Sequence, residues 1–221
     1  MTFRLILGEL AKGTGYTILV TLVCIATGLG VGLSVAMLGR LRFRPLQFLL
    51  GTFTYLFRGI PVLVLLFIVF FGLPGIGLRI SPLLAMVLSL GLISGAYLAE
   101  IFRGALNAVD GEELLAAEAM GMTLLQSFRY IALPQMLRFS VPGMINEFTS
   151  VLKYSPFAYT VGIPEIMQEA MNLAALTLRG LEIYLAIGII YFVIYKIFLA
   201  LFTVLEKRTR IPGLSMSTPL R

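Results

Sequence analysis

Apolar positions in this chain run on almost without interruption, for lengths that match a lipid bilayer rather than one face of a soluble helix. A helix rises about 1.5 Å per residue, so about 20 apolar residues cross about 30 Å of hydrocarbon. Five stretches come to that length, at about 16–38, 53–71, 83–106, 139–161 and 183–205. Gly28, Gly30 and Gly32 in the first supply a small-residue spacing that lets a second helix approach closely. The second carries Arg58 and Pro61 in its first half, and Gly72-Leu73-Pro74-Gly75-Ile76-Gly77 closes it before Pro82 opens the third. Pro142 and Pro156 predict that the fourth is kinked or broken. Ahead of the first stretch, Arg4, Glu9 and Lys12 interrupt short apolar groups. That segment reads as a short amphipathic helix at the interface and not as a cleaved signal peptide. The expectation is an all-α, polytopic membrane helical bundle, one transmembrane domain over 1–221 with about five spans.

Composition agrees with lipid as solvent. Hydrophobic residues make up 59% and charged residues 13%, with a mean hydropathy of +0.98, whereas soluble domains carry about 25% charged residues. There is no His and a single Cys, Cys24. That excludes His-based acid–base chemistry, Cys/His metal sites and any disulfide within one chain. The formal charge of +6 is scattered between the apolar runs, which fits membrane orientation and not nucleic-acid binding. Arg40, Arg42 and Arg44 follow the first span, Arg129 and Arg138 precede the fourth, and Lys207, Arg208, Arg210 and Arg221 follow the fifth. Only Arg4, Lys12, Arg79 and Arg179 fall on the other side. The imbalance predicts a cytoplasmic C-terminus and an external N-terminus.

The segment between the third and fourth spans, about 110–134, is not apolar enough to cross and too helix-prone to be a plain loop. Asp110, Glu112 and Glu113 suit a helix start, Gly121 suits its end, and Thr123 is a candidate cap for a second helix to about Tyr130. Ile131-Ala132-Leu133-Pro134 is expected to turn the chain back to the membrane. Ala116, Ala117 and Ala119 permit close contact. Either the pair of helices lies on the lipid surface or it docks a cytoplasmic partner.

Ala116-Ala117-x-Ala119-Met120-Gly121, followed after nine residues by Ile131-x-Leu133-Pro134, resembles the signature loop of ABC importer permeases. Leu115 stands where that family usually has Glu. Leu56-Phe57-Arg58-Gly59-Ile60-Pro61, the run from Ser94 to Gly104, Asn146-Glu147-Phe148 with Leu152-Lys153, and Val161-Gly162-Ile163-Pro164-Glu165 resemble elements of the polar amino-acid uptake permeases of that family. Tyr154-Ser155-Pro156 departs from their usual Asp-Thr-Ser. The resemblance implies the type I ABC importer (MetI-like) transmembrane fold in a bacterial or archaeal cytoplasmic membrane. It further implies a cytoplasmic ATPase dimer as partner, a second permease chain, identical or homologous, and an external substrate-binding protein. Leu115, Ala116, Ala117, Ala119, Met120 and Gly121 would couple to the ATPase.

The chain has no Gly-x4-Gly-Lys-Ser/Thr loop. Nucleotide chemistry is therefore expected elsewhere, with ATP and Mg on the partner ATPase and no cofactor on this chain. Charges within the spans mark the expected pathway. Glu100 and Arg103 are three apart and can pair. Arg58 can snorkel to the cytoplasmic surface, and Arg58 and Arg103 are taken as structural. Glu147 and Lys153 need other partners, which Glu100, Arg58 or a substrate can supply. A zwitterionic amino acid needs a donor and an acidic acceptor between apolar walls. Lys153 and Asn146 are candidates for the first, Glu147 and Glu100 for the second, with Tyr97 and Tyr154 as lining. Lys196 is expected to face a partner subunit. A self-sufficient secondary transporter or channel, using Glu100, Glu147 and Lys153 as ion or proton groups, is the rival interpretation.

Overall fold

A computed structural model describes residues 3–41 and 43–209; Arg42, Arg210 and Arg221, used above for orientation, lie outside it, as do the side chains of Arg4, Lys207 and Arg208. The described residues are mostly helical, with no strand among them. In chain order the helices are α1 (Phe3–Leu10), α2 (Thr14–Leu38), α3 (Arg44–Gly59), α4 (Val62–Phe67), α5 (Pro82–Met86), α6 (Leu92–Asn107), α7 (Gly111–Ala119), α8 (Leu124–Ser127), α9 (Leu133–Tyr154), α10 (Ile166–Thr177) and α11 (Gly180–Thr209). Wide turns at Val87–Gly91 and Phe128–Ala132 join α5 to α6 and α8 to α9.

Two long helices, α2 and α6, cross at the centre. Their closeness comes from glycine: a Cβ on Gly28 would lie 2.6 Å from Ser94 Oγ, and one on Gly95 would lie 2.7 Å from Val31 Cγ1. Gly30, on the other side of α2, faces open space, so the functional spacing in that glycine run is Gly28 with Gly32. Helix α9 leans on α6 at Gly143, whose position brings it against Ile101. Val20, Cys24, Leu90, Leu98, Phe102, Met136 and Phe148 fill the core between these three helices. A second core forms where α1 returns Ile6 and Leu10 onto Ile166, Ala170 and Ile183. The amphipathic N-terminal helix is thus present.

By length and apolarity, Ile6–Leu38, Pro82–Asn107 and Gly180–Val204 can each cross a membrane, and α3 with the Val62–Ile76 segment can do so as a pair bent by 104°. The second expected stretch, 53–71, is therefore not one straight helix. Ile60 precedes Pro61, and the ring of a proline pushes its predecessor out of the helical region. Ile60 accordingly takes φ −91°, ψ 128° and the axis turns there. In the fourth stretch, α9 runs unbroken through Pro142 and stops at Tyr154, and Ser155–Val161 continues as a tight 3-10 turn with Pro156 in its first turn. Arg138, Asn146, Glu147 and Lys153 leave α9 less apolar than the three helices that can cross alone. Residues 131–134 do not turn the chain back; they lie in continuous helix from α8 into α9. Pro134 lies within that continuous helix, directly after the wide turn at Phe128–Ala132, the kind of irregularity in the helical ladder that accompanies a proline lacking its N–H. Helix α10 was not anticipated from the hydrophobic runs, because it is short and capped by a glutamate inside an otherwise apolar region.

Candidate functional site

The ends of the helix pair between α6 and α9 are fixed by local chemistry. Asp110 caps α7, its carboxylate accepting from Glu112 N–H at 2.9 Å, and Glu112 and Glu113 sit in the first turn against the positive end of the helix. At the other end, Gly121 takes φ +86°, and Met122 N–H donates back to Ala117 O at 3.0 Å. This left-handed cap satisfies carbonyls that the helix end would leave open. Thr123 and Gln126 then form a reciprocal capping box: Gln126 N–H donates to Thr123 Oγ1 and Thr123 N–H to Gln126 Oε1 at 2.8 Å. The elbow is therefore a fixed corner.

Ala117 is the buried contact of α7, and Gln135 of α9 donates to the Glu113 carboxylate, tying the elbow to the bundle. Ala116 and Ala119 face outward. Around them Leu115, Met120, Leu124, Leu125 and Tyr130 are all exposed, Met120 at 85%. Between α7 and the start of α9 runs a groove of about 530 Å³ whose floor includes Ala116, Ala117, Pro134 and Arg138. Exposed apolar side chains on a rigid corner, edged by acids and an arginine, form a surface suited to a protein partner.

A second polar cluster lies on the exposed side of α6, beside α3. Arg103 pairs directly with Glu100, as their spacing on α6 predicts, and Arg58 Nη1 stands 4.0 Å from the same carboxylate oxygen. Arg58 does not extend alone to the surface: its guanidinium lies 5.2 Å from the centre of the Tyr97 ring, and Tyr97 OH donates to Arg58 O at 3.5 Å. A cavity of about 420 Å³ opens beside this cluster between α3 and the α2–α6 pair, with Arg40, Gln47, Thr54, Glu100, Arg103 and Asn107 among its lining.

The remaining expected pathway residues are not gathered there. Glu147 is buried on α9, near Ser94 at the α2–α6 crossing, and Asn146 beside it is exposed. Lys153 and Tyr154 are exposed at the far end of α9, where the Tyr154 ring stacks with Phe157 at 6.0 Å. Neither Glu147 nor Lys153 makes an ion pair among the described residues. Lys196 is exposed on α11 and lies over the Phe192 ring at 5.4 Å.

The sequence reading missed one buried node. Glu165 is completely buried and accepts from Tyr191 OH at 2.8 Å, Gln168 N–H at 3.0 Å and Thr17 Oγ1 at 3.4 Å. Only its place in the Val161-to-Glu165 motif pointed to it, since the partners are 148 and 26 residues away.

Residues 28–211 match the family described as binding-protein-dependent transport system inner membrane component. Among curated proteins, the chain is 36% identical over 193 residues to a probable amino-acid permease protein of Bacillus subtilis (strain 168), YxeN, covering 86% of this chain and 83% of that one. It is 30% identical over 200 residues to the arginine transport system permease protein ArtQ of the same organism, covering 90% and 91%. It is 33% identical over 167 residues to the histidine/lysine/arginine/ornithine transport system permease protein HisQ of Escherichia coli (strain K12), covering 71% and 73%. Among solved structures, an amino acid ABC transporter crystallised with histidines superposes with a TM-score of 0.85 at 31% identity, over 91% of this chain and 94% of that one. The MetNI methionine ABC transporter in an inward-facing form shares the fold, with a TM-score of 0.78 at 19% identity over 96% and 100%.

Proposed function

The chain belongs to the binding-protein-dependent transport inner-membrane family and is the permease subunit of an ABC importer, and from that premise we propose that its cargo is a polar amino acid. The amino-acid permeases among its relatives and the polar cluster of Arg58, Tyr97, Glu100 and Arg103 support that reading. The protein is a membrane protein of the type I importer fold. Its five-span topology, with the N-terminus outside and the C-terminus cytoplasmic in a bacterial or archaeal cytoplasmic membrane, belongs to the proposal.

One observation carries the mechanism: a rigid elbow presenting exposed Leu115, Met120, Leu124 and Leu125 around the left-handed turn at Gly121. A cytoplasmic ATPase dimer grips this elbow. ATP and Mg bind on that partner and this chain holds no cofactor. When the dimer closes, the elbow moves as one piece, because its caps and the Gln135–Glu113 bond leave it little internal freedom. The motion passes to α6 and α9, which the elbow joins directly. With a second permease chain completing the pathway, the central site opens outward to receive cargo from an external binding protein, and hydrolysis resets it. ATP drives the cycle only through its different affinity for the two states. Glu100 and Tyr97, and farther along α9 Asn146, Glu147, Lys153 and Tyr154, are the pathway residues of this scheme.

The test is uptake by proteoliposomes holding the complete transporter and its binding protein. Labelled L-arginine, L-glutamine, L-histidine and L-cystine are offered with and without ATP inside. The expected result is ATP-dependent accumulation of at least one of them. Accumulation that persists without ATP would support the secondary-transporter alternative and sink this reading.

A further inference from the structure

Glu100 is one carboxylate between two guanidinium groups. Arg103, one turn along α6, holds Oε2 directly, while Arg58 reaches the same oxygen only at 4.0 Å, the outer limit of an ion pair. Guanidinium groups stay charged at any relevant pH, so the cluster carries one cation more than it can neutralise. Arg58 is the unspent one. None of its N–H groups donates a hydrogen bond among the described residues, and its side chain is 44% exposed. It is nevertheless held in place, with its guanidinium over the Tyr97 ring and its backbone carbonyl accepting from the Tyr97 hydroxyl. A planar fork fixed by an aromatic ring and short of acceptors is suited to bidentate recognition of a carboxylate.

Its position adds a second reason. Arg58 stands two residues before Ile60, where the chain leaves the helix and the axis swings by 104°. The cavity that reaches Glu100 is walled by α3 on one side and by α2 and α6 on the other. Arg58 does not itself line that cavity; it stands next to it, 4.0 Å from the Glu100 carboxylate oxygen that does, and beside the joint between α3 and α4.

We propose that Arg58 is the carboxylate-binding residue of the transport pathway, taking the α-carboxylate of the cargo on its guanidinium fork while Glu100 stays neutralised by Arg103. The inference rests on the amino-acid reading above. Giving up the long Arg58–Glu100 contact costs little, since partly exposed ion pairs contribute little, whereas a charge-assisted bidentate pair is among the stronger polar contacts available. The site then discriminates against amines and amides that lack a carboxylate.

The experiment uses the transporter with both permease chains and its ATPase in lipid nanodiscs, without binding protein. Binding of labelled L-arginine, L-glutamine, L-histidine and L-cystine is measured, and then of the α-carboxamide of whichever binds. The wild type should prefer the free carboxylate by roughly tenfold or more. Arg58→Gln should bind acid and amide alike, Arg58→Lys should keep part of the preference, and Tyr97→Phe should keep most of it. Co-elution of Arg58→Gln with the ATPase at wild-type size separates lost recognition from lost folding; if it does not assemble, Arg58→Lys decides, and an unchanged preference there overturns the assignment. A full preference retained by Arg58→Gln overturns it while leaving the amino-acid reading standing. Wild type that binds none of the four sinks the reading itself, and this inference with it.

Discussion

Leu98 of α6 is seated so closely on Gly32 of α2 that a Cβ on the glycine would lie 2.6 Å from the leucine Cβ, with Ala99 N and Gly95 O each at 3.0 Å. Backbone atoms cannot swing aside as a side-chain tip can. Gly32→Ala therefore forces the central helices apart, at a cost of about 1–3 kcal/mol for overpacking. Gly30→Ala, which meets nothing within 4 Å, should be neutral or slightly stabilising. Cys24 is fully buried and is the chain's only cysteine, so a thiol-reactive dye reports unfolding of the purified permease directly. The expected result is a lower Tm for Gly32→Ala and an unchanged one for Gly30→Ala; equal values would refute the packing argument.

How far the sequence disclosed this arrangement depends on the range of the forces involved. The caps at Asp110, Gly121 and Thr123 act over two to five residues, and the helix–glycine–helix elbow was readable from them. The glycine spacing of α2 was readable for the same reason, and the structure then selects Gly28 and Gly32 over Gly30. The Glu100–Arg103 pair followed from helical spacing. The 104° bend was harder, because Pro61 within an apolar run is compatible with a kinked single helix as well as with a break. The Arg58 stack on Tyr97 and the bonds of Glu165 to Tyr191 and Thr17 join residues 26 to 148 positions apart, and no local pattern signals them.

Gly121 gives the clearest test of the elbow. Its φ of +86° strains any residue with a Cβ, yet a Cβ there would meet nothing within 4 Å. The effect of substitution is therefore conformational and not steric. Gly121→Val should misdirect α8 relative to α7, at about 1–2 kcal/mol for the left-handed conformation, and abolish stimulation of the ATPase by loaded binding protein. Gly121→Asn should retain most of it, since Asn tolerates this region. If both variants stimulate normally in proteoliposomes, the elbow does not transmit force.

Met120 tests the docking surface separately from its shape. At 85% exposure it supports no packing within the chain, so Met120→Asp should leave insertion and Tm unchanged. Within an apolar contact with the ATPase, a carboxylate would be buried without a partner, which is strongly unfavourable. The expected outcome is loss of the ATPase from the purified complex. Co-purification at wild-type stoichiometry would place the ATPase contact elsewhere.

The buried carboxylate of Glu165 ties three parts of the chain that are remote in sequence. It caps α10 through Gln168 N–H, receives the Tyr191 hydroxyl from α11 at 2.8 Å, and receives Thr17 from α2 at 3.4 Å. Gly13 closes the same corner, since a Cβ there would come within 2.4 Å of Ile166 N. Removing one donor to a buried acid leaves a desolvated oxygen short of its partner, so Tyr191→Phe, which keeps the ring, should cost about 1–3 kcal/mol. Glu165→Gln can still cap α10 through its amide oxygen and should cost less than Glu165→Ala, which also empties the pocket. The ranking is read from Tm by Cys24 labelling. A Tyr191→Phe protein as stable as wild type would mean that this hydrogen bond does not hold α11 to the first span.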